Sequence, residues 1–275
     1  MVTTEQTPIS KKSDVPEGVW DRCQACGEML YTREFEEALR VCPSCDHHHR
    51  LEARKRVTQL CDEGAFDEFL ADLVSTDPLK FIDRIPYKER IQQVQEKTKE
   101  KEAIIVGKAY IKGRGVILGV MNPSFIMASM GAVVGEKVTS AVERAMDDNL
   151  PLVLVTASGG ARMQEGMVSL VQMAKTSAAI GKFEEAGGLY ITVLTDPTTA
   201  GVAASFAMLG DVIIAEPRAM VGFAGPRVIA NTIKAELPEG FQTAEFLLEK
   251  GFIDRIVQRK DLRSEIARII DFCGK

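Results

Sequence analysis

The chain has 275 residues, of which 45% are hydrophobic and 27% are charged, and its formal net charge at pH 7 is −5. This apolar content is sufficient for one sizeable core with a small appendage, and the negative charge argues against a surface devoted as a whole to nucleic acid. No apolar run reaches the roughly 18 residues that a membrane span needs, so we expect no membrane association.

The N-terminal segment and the cysteine content indicate the cellular compartment. Residues 1–18 are polar and lack the apolar core of a secretory signal, so we expect a disordered tail. Of the six cysteines, four lie in two closely spaced pairs and two are isolated. Because this is typical of a metal site and not of a secreted disulfide framework, the pattern favours a reducing, cytoplasmic compartment.

Residues 19–50 contain the two cysteine pairs, Cys23 with Cys26 and Cys42 with Cys45. Each C-x2-C pair can direct two thiolates at one ion, and the fifteen residues between the pairs are enough for a hairpin. The spacing predicts a zinc ribbon with one zinc ion. Since four thiolates complete a tetrahedral shell, we expect this zinc to be structural; the alternative is two unrelated dithiols.

A histidine run, His47–His49, follows the second cysteine pair and leads into a basic stretch. With the zinc ligands already complete, we expect these histidines to face solvent. Together with the basic side chains after them, they would form a small basic patch able to contact RNA, DNA or the phosphates of a cofactor. A solvated helix face is the simpler interpretation. The basic side chains are Arg50, Arg54, Lys55 and Arg56.

Residues 51–101 are highly charged and mostly helical in pattern, so we expect a helical connector. The mixed-sign charges of residues 87–102 are typical of a solvated helix face.

Residues 102–275 alternate between helical and strand patterns, which predicts an α/β core with mostly parallel strands and right-handed crossovers. Two β-rich runs around Lys112–Gly115 predict a hairpin at the start. The expected elements after it are a helix over 131–149, a strand Leu152–Val155, a helix Met163–Phe183, a strand Tyr190–Leu194, a short helix Val202–Met208, a strand Val212–Ala215, a helix after Pro226, a helix Gln242–Glu249 and a strand Ile253–Val257.

Two of the predicted strands end in small residues that lead into a helix. The first ends at Ser158-Gly159-Gly160-Ala161, and the next ends before Ala200 and Gly201. Glycines let the backbone approach a ligand closely, and the first N–H groups of a helix are unpaired donors. Since consecutive parallel strand ends lie side by side, the pattern predicts an oxyanion hole made of main-chain amides. Either turn alone would be explained by tight packing.

The nearest charged residues to these turns are Arg162 and Asp196. We expect Arg162 to pair with Glu165 one turn further on, and Asp196 to serve as a cap or hydrogen-bond acceptor at the strand end. The turns therefore supply backbone dipoles and no obvious side-chain acid, base or nucleophile.

The motifs SGGARMQEG, MAKTSAA, LTDPTTAG, SFAMLGD and FAGPRVI, after a four-cysteine ribbon, resemble the carboxyltransferase β-subunit family of bacterial and plastid-type acetyl-CoA carboxylase. The likeness covers residues 19 to about 260. It implies a crotonase-like fold, a spiral of ββα units, over residues 102–275. It also implies transfer of the carboxyl group of carboxybiotin, held on the biotin carboxyl carrier protein, to acetyl-CoA. The product would be malonyl-CoA, in the first committed step of fatty acid biosynthesis.

The resemblance also assigns roles to residues and partners. The amides of Ala200 and Gly201 would hold the thioester enolate, where many family members have two glycines. Gly159 and Gly160 would shape the CoA pocket, with Arg162 in the substrate-binding set. A carboxyltransferase α subunit would supply the second oxyanion site in an α2β2 heterotetramer, and biotin carboxylase would be a further partner. The compartment would be the cytoplasm, or the plastid stroma in a photosynthetic eukaryote.

Two other functions remain open from the residues. One is another crotonase-fold acyl-CoA enzyme, such as a hydratase, which needs a carboxylate for general acid–base work; Glu165 is the only candidate next to the first turn. The other is a zinc-ribbon nucleic-acid-binding, possibly regulatory, protein that uses the basic patch.

Overall fold

The computed structural model describes residues 18–225, 229, 231–232 and 237–275. The tail expected at the N-terminus and the helix expected after Pro226 lie wholly or mostly outside the described residues. Within the described part of the chain, no helix combines the length and the apolar character needed to cross a membrane.

The N-terminal ribbon is a small unit built on two short antiparallel strands. These are β1 (Trp20–Arg22) and β2 (Met29–Tyr31), and helix α1 (Thr32–Glu37) follows them directly. Leu30 and Phe35 are buried against the cysteines and form the ribbon's own small core. So few apolar side chains cannot stabilise a fold of this size alone, which is why a metal is needed here.

The rest of the chain is organised on an eight-stranded sheet. Its strands are β3 (Phe66–Phe69), β4 (Ile104–Ile111), β5 (Arg114–Met121), β6 (Leu152–Ser158), β7 (Tyr190–Thr199), β8 (Val212–Ala215), β9 (Val221–Gly222) and β10 (Arg255–Ile256). The order is β10-β8-β7-β6-β5-β4-β3, with β9 pairing with β7. All pairs from β5 to β10 are parallel and the β3-β4-β5 pairs are antiparallel, so the expected mostly parallel core is confirmed.

The predicted hairpin at the start of the large region is confirmed. Ile111 pairs with Arg114, leaving Lys112 and Gly113 as a two-residue loop. Both loop residues have positive φ, 50° and 79°. This is the conformation of a type I′ turn, whose twist matches that of the flanking strands.

Helices cover both faces of the sheet. They are α2 (Ala53–Leu60), α3 (Tyr87–Thr98), α4 (Ala132–Asp147), α5 (Met167–Glu185), α6 (Ala200–Ala203), α7 (Ala244–Glu249) and α8 (Leu262–Phe272). Leu152 and Leu154 of β6 join the core on the α4 and α5 side, whereas Val153 and Val155 join the core on the α2 and α8 side. A strand buried on both faces explains the continuous apolar run in this part of the sequence.

Residues 51–101 are more closely integrated than the expected helical connector. Strand β3 pairs with β4 at the edge of the main sheet, and helix α2 packs on the core of that sheet. The helix expected over 87–102 is present as α3, but Tyr87 and Ile91 bury one of its faces. The segment is therefore part of the large domain's surface layer.

Candidate active site and metal centre

The four cysteines of the ribbon come together at one point. Their Sγ atoms all lie within 4.8 Å of one another. The distance is 3.8 Å for Cys23 to Cys45 and for Cys26 to Cys42. Tetrahedral zinc with Zn–S bonds of about 2.3 Å requires sulfur atoms about 3.8 Å apart. The thiol set therefore fits a structural zinc ion, as the spacing predicted.

Two of the three histidines were wrongly expected to face solvent. His48 and His49 are buried, with 5% and 6% exposure, because the chain leaving the second cysteine pair packs down onto the large domain. The Nε2 atom of His49 lies 3.4 Å from the Sγ of Cys23, and its ring packs edge-on against Phe35. A hydrogen bond of this kind orients a metal-ligating thiolate.

A buried ionic cluster fixes the ribbon to the large domain, and we call it the Glu216 cluster. Glu216 forms an ion pair with Arg56 at 2.7 Å and accepts a hydrogen bond from Arg259 at 2.8 Å. Arg259 also donates to the Leu39 carbonyl of the ribbon at 2.7 Å. Burial alone would raise the pKa of Glu216, but the two guanidinium groups hold it well below its ordinary value. The cluster joins the ribbon, α2, the end of β8 and the segment before α8.

The same cluster corrects the expectation of a basic patch on a solvated helix. Arg56 is 3% exposed and paired inside the protein, so it faces neither solvent nor nucleic acid. Arg54 is half exposed but donates to Glu68 and Glu100. Two of the four basic side chains that motivated a nucleic-acid function are therefore paired with carboxylates.

The two glycine-containing strand ends meet, as the sequence predicted. Ser158 pairs with Thr198 across β6 and β7. A Cβ atom at Gly160 would lie 2.5 Å from the Cβ of Ala200 and 3.4 Å from the main-chain nitrogen of Gly201. The turn after β6 and the bend after β7 are thus in direct van der Waals contact, which only glycine at position 160 permits.

The amides after β6 do not all serve as the free donors that the sequence predicted. The Gly159 N–H donates to the Met127 carbonyl at 2.8 Å, and the Gly160 N–H donates to the Ser158 hydroxyl at 3.0 Å. Their role is to shape the turn. In the described part of the chain, the N–H groups of Ala161 and Gly201 have no hydrogen-bond acceptor.

The free amides of Ala161 and Gly201 lie across the contact between the two strand ends. A Cβ atom at Gly201 would lie 3.3 Å from the Ala161 nitrogen. Thr199 pairs with Gly222, which places the Ala200 amide beside β9. Gly201 is therefore the better placed donor of the predicted pair, and Ala161 is a donor that sequence reasoning did not single out.

Ala200 has a strained backbone. Its φ is +50°, in the left-handed region that favours glycine. A non-glycine residue there costs roughly 1–2 kcal/mol. This explains why the resemblance leads us to expect glycine at this position.

A second strained segment supports the turn after β6 and was not predicted. Ile126, Met127 and Ala128 all have positive φ, between 44° and 55°. The Met127 and Ala128 carbonyls accept hydrogen bonds from the turn, from the Gly159 N–H and, at 2.6 Å, from the Ser158 hydroxyl. None of the three is glycine, so composition carried no signal for this left-handed turn. Strain of this kind is concentrated at functional sites.

The expectation that Arg162 contacts substrate is corrected by its position. Its side chain is completely buried and donates to Glu102 at 2.6 Å and to the Ser129 carbonyl at 2.7 Å. Burial lowers the pKa of Arg162, but Glu102 outweighs that effect and raises it above its ordinary value. The predicted pairing with Glu165 is confirmed at 3.3 Å. Arg162 therefore anchors the turn from inside.

Glu165 is not available for acid–base chemistry. It is 1% exposed and accepts hydrogen bonds from the Tyr87 hydroxyl and the Ala132 N–H, both at 2.6 Å. This removes the residue on which a hydratase-type reaction would depend. Asp196 is more open and accepts from the Met220 N–H at 3.3 Å, as expected for a strand-end acceptor.

Comparisons with known proteins agree with this geometry. Residues 81–268 match the carboxyl transferase domain family, and residues 20–45 match the acetyl-CoA carboxylase zinc finger domain. The acetyl-coenzyme A carboxylase carboxyl transferase subunit beta of Rhodopirellula baltica is 54% identical over 98% of this chain and 86% of its own length. The chain belongs to this β-subunit family. The same subunit of Desulforamulus reducens is 52% identical over 98% of this chain and 93% of its own length.

Solved structures confirm the crotonase-type fold of the family's large domain. A transcarboxylase 12S structure aligns with a TM-score of 0.68 at 24% identity over 81% of this chain. This chain spans 41% of that protein's length. A Pseudomonas malonate decarboxylase MdcD–MdcE heterodimer aligns with a TM-score of 0.62 at 23% identity, over 81% of this chain and 86% of that chain. At these identities the likeness extends to the fold alone.

We predict that Gly160→Ala destabilises the protein by about 2–4 kcal/mol. The new methyl group would overlap the Ala200 Cβ, at about 1–3 kcal/mol for overpacking, and φ at this position is +110°. The measurement is the denaturant midpoint of the folded chain. In the double variant with Ala200→Gly, the stability lost to the steric overlap should be recovered, but not the stability lost to the unfavourable φ at position 160. Gly181→Ala, where a Cβ meets nothing within 4 Å, is the control; equal losses at both glycines would contradict the contact.

We predict that Glu102 makes the protein acid-labile. Burial raises the pKa of Glu102, but the charge and hydrogen bonds of Arg162, together with hydrogen bonds from Ser75 and the Ala103 N–H, lower it below its ordinary value of 4.5. Its stabilisation is therefore present above pH 4.5 and is lost as the pH falls through its lower, folded-state pKa. Glu102→Gln should lower the free energy of unfolding by about 3–5 kcal/mol at neutral pH. The variant should also lose part of the dependence on pH below 4.5, measured by denaturation over a pH series. A variant with the parental pH dependence would contradict this assignment.

Proposed function

We propose that this chain is the acetyl-CoA-binding half of a carboxyltransferase that makes malonyl-CoA. The observation that carries the proposal is the contact between the two strand ends, which leaves the amides of Ala161 and Gly201 close together without acceptors. Two neighbouring main-chain donors without acceptors suit an oxygen that becomes negatively charged in the transition state. Membership of the β-subunit family supports the choice of a thioester as the owner of that oxygen.

The proposed reaction needs no side-chain acid or base from this chain. Carboxybiotin supplies CO2 when its N–CO2 bond breaks, and the electron pair stays on the biotin ureido group. That group takes a proton from the acetyl methyl, and the resulting enolate carbon forms the new bond to CO2. The amides of Gly201 and Ala161 stabilise the enolate oxygen, and Ala200, whose own amide lies beside β9, forms the bend that presents Gly201. This division of labour agrees with the full engagement of Glu165 within the protein.

In this proposal, the remaining site residues determine the shape of the acyl site. Gly159 and Gly160 shape the turn beside the acyl group, because a Cβ at Gly160 would overlap Ala200 and push the two strand ends apart. Arg162 positions their turn from beneath. The zinc ion would hold the fold of the ribbon, which the Glu216 cluster fixes to the large domain, and the four thiols require the reducing conditions of a cytoplasm or stroma.

The proposed partner is a carboxyltransferase α subunit, in an α2β2 heterotetramer. Helix α5 begins beside the site, where the Met173 sulfur would lie 3.2 Å from a Cβ at Gly201. The outer face of this helix carries three exposed apolar side chains, Met167, Leu170 and Val171, with exposures of 70%, 49% and 56%. Met163, just before the helix, is 64% exposed. An exposed apolar surface of this kind is typical of a protein interface. The biotin carboxyl carrier protein and biotin carboxylase complete the proposed assembly.

We predict that the chain alone forms no malonyl-CoA from acetyl-CoA and free carboxybiotin. It presents one set of amide donors, whereas the biotin ureido oxygen needs a second set from the α subunit. Adding the α subunit should restore transfer, measured as incorporation of labelled carboxyl into malonyl-CoA. Turnover by the isolated chain at the rate of the complex would disprove the half-site proposal.

We predict that Leu170→Glu weakens binding of the α subunit about tenfold or more, because it places a charge in a desolvated apolar interface. The fold should survive, since Leu170 is 49% exposed. The measurement is the dissociation constant by analytical ultracentrifugation. Glu184→Lys, an exposed change elsewhere on α5, should leave binding unchanged. Loss of binding by both variants would argue against this face.

A further inference from the structure

We propose that Arg50 binds the carboxylate that is transferred, at the edge of the acyl site. This inference rests on the proposed function and adds a specificity-determining residue to it. Arg50 lies at the end of the ribbon, between the buried His49 and the start of α2. It is the point at which the ribbon reaches the strand ends of the large domain.

The position of Arg50 beside the site follows from two contacts. Its Nη1 atom lies 3.6 Å from the Met127 sulfur, and its Nε atom lies 3.6 Å from the Asp196 carboxylate. Met127 belongs to the left-handed turn whose carbonyl holds the Gly159 N–H. Asp196 is in β7, just before the bend that carries Gly201. The guanidinium group therefore lies between the supports of both turns.

The guanidinium group of Arg50 retains free hydrogen-bonding capacity. Both of its contacts are long, and a thioether sulfur is a weak acceptor. Across the described residues, its Nη2 atom has no acceptor, and its side chain is 46% exposed. Arg162 and Arg259 differ sharply, because each is buried and donates to a carboxylate within 2.8 Å. Arg50 is thus a positioned cation with a donor face open to an anion.

A carboxylate is the anion that fits this position. The planar guanidinium group binds carboxylates through two parallel hydrogen bonds. Arg50 is close to the turns where the thioester carbonyl would lie, whereas the phosphates of CoA are at the far end of the pantetheine arm. In the described part of the chain, Asp196 is the only carboxylate within ion-pair distance of Arg50, and it is 36% exposed. In malonyl-CoA, the carboxylate on the carbon next to the thioester carbonyl would therefore be the anion nearest to Arg50.

In this proposal, the attachment of the ribbon to the large domain serves to position Arg50. The Glu216 cluster and a hydrogen bond of 2.9 Å from Arg218 to the Cys45 carbonyl hold the ribbon against the large domain. Small displacements of the ribbon would move Arg50 directly, since it follows His49 in the chain. Zinc thus contributes to carboxylate binding by holding the segment that carries Arg50.

The test uses the complex of this chain with its α subunit and compares two KM values. The forward reaction gives the KM for acetyl-CoA, and the reverse reaction, with free biotin as acceptor, gives the KM for malonyl-CoA. We expect Arg50→Ala to raise the KM for malonyl-CoA about tenfold or more, as for loss of a hydrogen bond to a charged group. The KM for acetyl-CoA should change less than about twofold. Arg50→Lys should recover part of the loss.

The control is Arg33→Ala, which removes an exposed ribbon arginine whose ion-pair partner, Glu37, lies in the same short helix. It should not change the ratio of the two KM values. The melting temperature and zinc content of each variant report on structural damage. Such damage would affect the KM values for acetyl-CoA and malonyl-CoA alike. An equal rise in both KM values would assign Arg50 to the CoA phosphates and overturn the proposal. No change in either KM value would also overturn it. If the unmodified complex shows no turnover, the proposed function fails instead.

Discussion

The site depends on one steric constraint, the contact between the turn after β6 and the bend after β7. The two chains approach so closely that a Cβ at Gly160 would overlap that of Ala200. The approach brings the amides of Ala161 and Gly201 together, and it forces Ala200 into a left-handed conformation. Strain of roughly 1–2 kcal/mol at one residue is small compared with the value of preorganised donors in a transition state, where one such donor is worth about 3–4 kcal/mol.

Pairs of residues far apart in sequence hold these turns in place. Arg162 connects the turn after β6 to Glu102 at the start of β4, and through Glu165 to the first amide of α4. The Ile126–Ala128 turn supplies the carbonyls that engage Gly159 and Ser158. The free amides of Ala161 and Gly201 are therefore fixed by a polar interior, and not by the helix that follows the bend, since α6 has only four residues.

Sequence reasoning predicted the features that depend on local pattern. The cysteine spacing gave the metal ligands, the Lys112-Gly113 pair gave the hairpin turn, and the alternation of helices and strands gave the parallel core. It failed where the outcome depends on distant partners. Arg56 and Arg162 look like surface charges until Glu216 and Glu102 are brought beside them by the fold. The left-handed turn at Met127 is imposed by its surroundings and has no glycine to announce it.

The two buried ionic clusters carry opposite excess charge, and this suggests what they contribute. The Glu216 cluster pairs two arginines with one carboxylate, whereas the Arg162 cluster pairs one arginine with two carboxylates. Since neither is balanced, each needs main-chain and hydroxyl partners, such as the Leu39 carbonyl and the Ala132 N–H. Buried ion pairs of this kind add little net stability. Apolar side chains in their place would tolerate many relative positions of the packed segments, whereas the ion pairs form in only one. Their contribution is therefore the fixed alignment of the ribbon and of the turn after β6.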